Sequence, residues 1–300
     1  MTKRRDGLLI FAMLALLALL PLFLNGNRYL LSVLMNSAGL SLISLGVWIT
    51  FCIGRINICQ AGFALIGAYT TALLLHKLGM SYWLALPLSG IAAALVGMLI
   101  GSAILKLRGI YFSMLTICLT EAIRLAFLNG GAVTQGSAGV TGLPQPFASE
   151  SALPMYYLAL VLLAIGLFVT WRVNYSRLGG IFRSMRLNED LAESFGVPVW
   201  RYRILAFGIA CFLGGLGGSY FAVFTQSIYP QSFTVEHSIY FMLFYTIAGL
   251  WVGFAFVVIG LGISALTLIG YFLAGNWFEP WMAVVNGGGL VLGGPWMRRS

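Results

Sequence analysis

Long, unbroken apolar runs separated by short polar or Gly/Pro breaks dominate the chain. The runs predict helices over roughly 8–25, 29–52, 57–76, 82–105, 109–128, 155–173, 204–224, 238–258, 260–275 and 280–297. A membrane-spanning helix needs about 20 mostly apolar residues, and these runs meet that length. A barrel strand would instead alternate apolar and polar positions over about 10 residues, a pattern these runs lack. Tyr240–Gly275 is uncharged over 36 residues. That is too long for one span, so the reading places a tight hinge near Gly260–Gly262. The last segment carries Asn286-Gly287-Gly288-Gly289 and Gly293-Gly294-Pro295, which weaken a helix and predict a short or broken one. The fold class read from the pattern is an all-α integral membrane protein of about ten transmembrane helices. It forms a single transmembrane domain over 1–300.

One polar island interrupts the pattern. Residues 174–203 hold Arg177, Arg183, Arg186, Arg201 and Arg203 together with Glu189, Asp190 and Glu193, three of the eight acids in the chain. Charges and loose backbone of this kind need water or a protein partner, not lipid. Leu178, Ile181, Phe182 and Met185 recur at helical spacing, with Arg177, Arg183 and Arg186 on the other faces. This predicts an amphipathic helix at the membrane surface. Asn188 is placed to cap a second, short helix, and Glu189 and Asp190 suit the positive end of its dipole. Gly196 can take a left-handed conformation after its last turn, and Pro198 blocks continuation. A two-turn helix lying across the spans can receive force from a soluble partner. It is equally readable, on local features, as a surface loop with a turn of helix.

Composition confirms the environment. Only 8% of residues are charged and mean hydropathy is +0.95. A soluble domain has about 25% charged residues, so this chain cannot cover a water-exposed surface. The net charge of +9 reads as topology and not as nucleic-acid binding, because no basic patch is interleaved with aromatic residues. With the N-terminus inside and ten spans, 14 of the 17 Lys and Arg fall on the cytoplasmic side. The outer side receives Arg28, Lys77 and Arg124. The same topology puts 174–203 in the cytoplasm and the Lys/Arg-free loop 129–154 outside, as a connection or a structured cap over an outer vestibule. The start of the chain (Lys3, Arg4, Arg5, then Leu8–Leu24) reads as an uncleaved first span. No internal duplication is visible. Gly62, Gly67, Gly97, Gly101, Gly214 and Gly218 stand at helix-packing spacing. Cys52, Cys59, Cys118 and Cys211 form no CxxC pair and read as small packing residues.

Few residues suggest chemistry. Glu121 and Arg124, three apart on one helical face, form a charged pair inside a span. They fit either a structural pair that orients the helix or a substrate contact. Arg55 reads as an interfacial residue that snorkels to lipid headgroups. His76 and His237 stand alone, and Glu279 with Pro280 reads as an outer turn. No metal site, no serine–histidine pair and no paired carboxylates are visible. The chain has no Gly-x-x-x-x-Gly-Lys-[Ser/Thr] loop, and its lysines are Lys3, Lys77 and Lys106, so any ATP must be bound by another chain.

Several stretches resemble LivM-type permeases, membrane subunits of ABC importers for branched-chain amino acids. Ser176-Arg177-Leu178-Gly179, Met185-Arg186, Glu189, Ala192-Glu193, Gly196 and Ala206-Phe207 look like the family's coupling loop. Gln60-Ala61-Gly62-Phe63 with Ile66-Gly67-Ala68-Tyr69, and Leu105-Lys106-Leu107-Arg108-Gly109-Ile110-Tyr111-Phe112, resemble two further segments. Thr116, Glu121, Arg124, Thr134–Val140, Pro230, Ser232-Phe233 and Ser238-Ile239 follow in order. Two departures stand out. Asn57-Ile58-Cys59 replaces Ser-Leu-Gly before Gln60, and the Gly-rich hinge after the eighth span is degenerate at Ala248–Phe254.

The resemblance implies an ABC importer permease-like bundle with a cytoplasmic coupling helix, a transport subunit and not an enzyme, binding no cofactor. It implies ATPase coupling through Arg186, Glu189, Asp190, Ala192, Glu193 and Gly196, and a pathway or gate involving Gln60, Gly62, Tyr69, Tyr111, Glu121 and Arg124. The implied partners are ABC ATPase subunits, a second related permease, an extracytoplasmic substrate-binding protein and the lipid membrane, with no nucleic acid. The implied location is the bacterial cytoplasmic (inner) membrane. The expected solute is a branched-chain amino acid, with urea and short amides carried by close relatives. The alternative is a secondary transporter or channel without an ATPase, which predicts ionisable residues deep in several spans. A membrane-embedded enzyme would need a cluster of reactive groups at one depth.

Overall fold

The computed structural model describes residues 3–23, 28–131, 134–147 and 152–249. In chain order they form helices α1 (Lys3–Phe23), α2 (Arg28–Cys52), α3 (Gln60–Leu78), α4 (Tyr82–Ile104) and α5 (Ile110–Leu128). These are followed by strand β1 (Val140–Thr141), α6 (Leu153–Asn174), α7 (Arg177–Leu187), α8 (Glu189–Ser194), α9 (Val199–Thr225), strand β2 (Ser227–Ile228) and α10 (Val235–Gly249). Among the described residues, α2 to α6 and α9 are the six helices long and apolar enough to cross a membrane. The expected ninth and tenth spans, the hinge near Gly260–Gly262, and Glu279 lie outside the described residues. The expected eighth span starts at Val235 and is described as far as Gly249.

α9 is the central post, packed along α2, α3 and α4. Lipid offers little hydrophobic drive for helices to associate, so close backbone approach through small residues must hold them. A Cβ on Gly67 would overlap the Gly215 carbonyl, and one on Gly218 would overlap the Ala64 carbonyl. Gly97 and Gly101 leave room for Cys211 and Phe207 in the same way. The small residues read from the sequence as packing positions are thus where helices touch. α2 packs on α6, and α1 lies on the far side of α6, where the Tyr156 hydroxyl donates to the Leu17 carbonyl at 2.7 Å.

At one end of the bundle, β1 pairs antiparallel with β2, and the Leu143 amide donates to the Gln226 carbonyl. The loop after α5 is therefore structured, tied to the end of α9, with Val140 and Leu143 buried. Gly139 (φ 66°) has no room for a side chain against Ile228. At the opposite end, α7 and α8 cross beneath the spans.

Two helix starts and the setting of α7 depart from the sequence reading. α3 begins at Gln60 and not at 57, because residues 57–59 are outside the helix and bonded sideways. The Ile58 amide donates to Thr116 Oγ1 (3.2 Å), and Thr120 Oγ1 donates to the Ile58 carbonyl (2.8 Å). α9 begins at Val199, not near Ile204, so Arg201 and Arg203 belong to the helix and not to the loop. The apolar face of α7 meets protein, not headgroups: Phe182 and Met185 are fully buried against the α2–α6 side of the core.

Candidate functional site

The α6–α9 connection is built by local chemistry. Gly179 lets α7 turn tightly back under α6, since a Cβ there would strike the Val173 and Asn174 carbonyls. The Arg186 guanidinium lies 4.4 Å over the Phe51 ring, a cation–π contact that pins the end of α7 to α2. Asn188 leaves the helical region (φ −158°, ψ 111°) and ends α7. Its side chain then accepts from the Leu191 amide at 3.1 Å and caps α8. At the other end the Gly196 amide donates to Glu193 and the Val197 amide to Ala192, while Gly196 sits at φ +81°. Both caps were readable from Asn188 and Gly196.

The charge arrangement was not. Glu189 turns toward the bundle and is 17% exposed. Its carboxylate receives Arg55 at 3.0 and 3.2 Å, Arg108 at 3.4 Å, and Arg203. These arginines come from three places: the α2–α3 connection, the α4–α5 connection, and the second turn of α9. Arg55 and Arg203 continue past the acid to the carbonyls of Leu107 (2.6 Å) and Leu105 (3.4 Å), just beyond the C-terminal end of α4, where a helix dipole favours cations. Burial pulls the Arg55 guanidinium below its ordinary range, and the Glu189 carboxylate opposes that shift. Arg108 also binds Asp190 at 3.0 Å on the exposed side.

Arg55 is the clearest correction to the sequence reading. It is 3% exposed and clamped between Glu189 and Leu107, so it does not snorkel to headgroups. Arg108 was read as part of a family-like segment and Arg203 as part of the polar island, neither as a partner of Glu189. No local signal could have paired Arg55 with an acid 134 residues away.

With Glu189 and Ala192 facing inward, the opposite face of the connection is apolar and open. Leu187 (87% exposed), Leu191 (54%) and Phe195 (79%) recur every fourth residue, flanked by exposed Asp190 and Glu193. Of the residues expected to couple to a partner, Arg186, Glu189, Asp190, Ala192, Glu193 and Gly196 all gather here, on both sides of α8.

The expected pathway residues are spread over two helices. On α3, Gln60 is fully buried and its amide donates to the Ala210 carbonyl of α9 at 2.8 Å, filling the space beside Gly46 and Gly214. Asn57 bonds to Gln60 and to the Cys59 amide, and the Ala61 amide donates to Ser238 on α10. The Asn57-Ile58-Cys59 departure is thereby absorbed into a buried hydrogen-bonded break before α3. Gly62 abuts Ile123 and Thr120 of α5, and the buried Tyr69 ring tilts against Phe127 with centroids 4.7 Å apart. On α5, Tyr111 is exposed, and Glu121 and Arg124 form an i,i+3 ion pair on a half-buried face.

A family model described as "Branched-chain amino acid transport system / permease component" matches residues 29–292. The chain is 29% identical over 231 residues to the high-affinity branched-chain amino acid transport system permease protein LivM of Salmonella typhimurium. It is equally similar to the protein of that name in Escherichia coli. Each alignment covers 68% of this chain and 54% of the relative, so the chain spans about half the length of those curated relatives. It is 26% identical over 217 residues to the guanosine ABC transporter permease protein NupQ of Bacillus subtilis, covering 63% of this chain and 65% of that one. No solved structure matches.

Proposed function

The chain belongs to the branched-chain amino acid transport system / permease component family, and from that premise we propose that it is the membrane-spanning permease subunit of an ATP-driven ABC importer. The observation that carries this reading is the exposed apolar strip of Leu187 at the end of α7, Leu191 on the capped, internally anchored α8 and Phe195 just after it, at one end of a bundle with six candidate spans among the described residues. An apolar strip rimmed by charge on a water-facing loop is the surface a soluble partner buries. That partner is an ATPase subunit on the cytoplasmic side, where α8 stands among Arg55, Lys106, Arg108, Arg177, Arg183 and Arg201. ATP binding and release move the ATPase, α8 follows, and the spans alternate access to a central path.

A second related permease and an outer substrate-binding protein complete the complex, which sits in the bacterial inner membrane. The solute is a branched-chain amino acid or a small polar or amphipathic relative. The similarity to a guanosine permease makes a nucleoside the other solute to test. A transporter acting without an ATPase would need ion-coupling groups deep in several spans. Among the described residues the charged pair within the spans that resembles one is Glu121–Arg124, and those two groups already neutralise each other.

Co-expression with the ATPase subunits tests the docking. The wild-type chain should retain them through purification. Leu191→Asp with Phe195→Asp should lose them while the chain still inserts and elutes as one peak. Undiminished association of the double variant would refute the docking face.

A further inference from the structure

α8 has six residues, and among them only Ala192 is fully buried. So small an element cannot be held firmly by apolar packing. Covalently it is joined to the spans only through α7 and the short link to α9. What fixes it beyond its caps is Glu189, whose carboxylate gathers guanidinium groups from the α2–α3 connection, the α4–α5 connection and α9. Arg55 and Arg203 in turn donate to the carbonyls of Leu107 and Leu105, just after α4. One acid therefore ties α8 to the ends of α3, α4, α5 and α9 at once. It does so from the face opposite Leu187, Leu191 and Phe195.

We propose that Glu189 is a positioning residue and not a partner contact: it makes α8 and the adjoining ends of α3, α4, α5 and α9 one rigid body, so that a displacement applied to the outer ridge reaches the spans undiminished. This rests on the reading of the ridge as an ATPase-docking face. The two faces of α8 then divide the work. The ridge receives the partner, and the buried carboxylate transmits its motion. Two guanidinium groups, Arg55 and Arg203, are almost withdrawn from water and have no other acid within reach among the described residues, so the link is directional and strong. Arg108 is the exposed third strand of the same link and bridges Glu189 to Asp190.

The test uses the full complex with its ATPase subunits. Spin labels on Ser194→Cys (α8) and Met114→Cys (α5) report the separation of the two elements with and without ATP trapped by vanadate. In the otherwise native chain the separation should be narrow and the same in both states. Glu189→Gln should broaden it and make it nucleotide-dependent, while ATPase subunits remain bound and ATP is still hydrolysed. Glu189→Asp should recover most of the narrow distribution. With leucine or guanosine as the probe, whichever the native complex takes up, solute moved per ATP should fall about tenfold in Glu189→Gln, the size expected for a lost coupling interaction. Arg108→Gln, on the exposed side, should broaden the distribution partly and serves if the Glu189→Gln chain itself does not fold and insert. The proposal is overturned if the native separation itself changes with nucleotide, if both Glu189→Gln and Arg108→Gln match the native chain, or if Glu189→Gln releases the ATPase. Failure of the docking reading is separate, because it shows as retained ATPase in Leu191→Asp with Phe195→Asp.

Discussion

At the scale of single residues, Glu189 has the most at stake. Removing it leaves Arg55 and Arg203 buried near each other without their acid. Breaking a buried pair in this way costs about 3–5 kcal/mol. Glu189→Ala should therefore lower the melting temperature of the detergent-solubilised chain by several degrees, and more than Glu193→Ala, whose side chain is exposed. Equal melting of the two would mean that the arginines do not depend on the acid. The central glycines make a second case. Gly218→Val drives a branched side chain into the Ala64 backbone, an overpacking of at least about 1–3 kcal/mol. Gly180→Ala, which meets nothing within 4 Å, should be nearly silent in the same melt. Local signals were legible at this scale and long-range ones were not. Asn188 and Gly196 announced their roles because a cap depends on the residue and its immediate neighbours. Arg55 did not, because its partner arrives from the other half of the chain, and an arginine after a span looks the same whether it meets a headgroup or a carboxylate.

At the scale of elements, α8 exists by virtue of its ends. Isolated helices this short are not stable, so the Asn188 cap, the Gly196 turn and the Glu189 anchor must supply its order. Asn188→Ala should cost about 1 kcal/mol of local stability. Faster amide exchange at Leu191 and Ala192, with unchanged exchange in the middle of α9, would show it; protected amides in the variant would contradict it. The elements that the sequence placed within two residues are α2, α4, α5 and α6, whose apolar runs end in clear polar breaks. The start of α9 was missed because Arg201 and Arg203 looked like loop. A helix end that leaves the membrane can carry charges and stay helical when those charges find partners, as Arg203 does. The α7 face was read correctly as amphipathic but given the wrong neighbour, since periodicity shows which side is apolar and not what covers it.

At the scale of the whole molecule, basic residues crowd the end of the bundle that carries α7 and α8, and Lys77 and Arg124 lie toward the other. A cysteine at Ser194 should react with a membrane-impermeant maleimide in inside-out vesicles and not in intact cells; the reverse would put α8 out of reach of any ATPase. The all-α class and the membrane setting were legible from composition and run length alone, and the family from ordered motifs. The packing of α9 against three neighbours was legible only as a surplus of small residues. The most direct trial of the account is uptake of labelled leucine and, separately, guanosine into proteoliposomes holding this chain, its companion permease and the ATPase subunits, supplied with the binding protein outside and ATP inside. The account predicts uptake of one of these solutes that requires both ATP and the ATPase subunits and disappears in Leu191→Asp with Phe195→Asp. Uptake that persists without the ATPase subunits would contradict it.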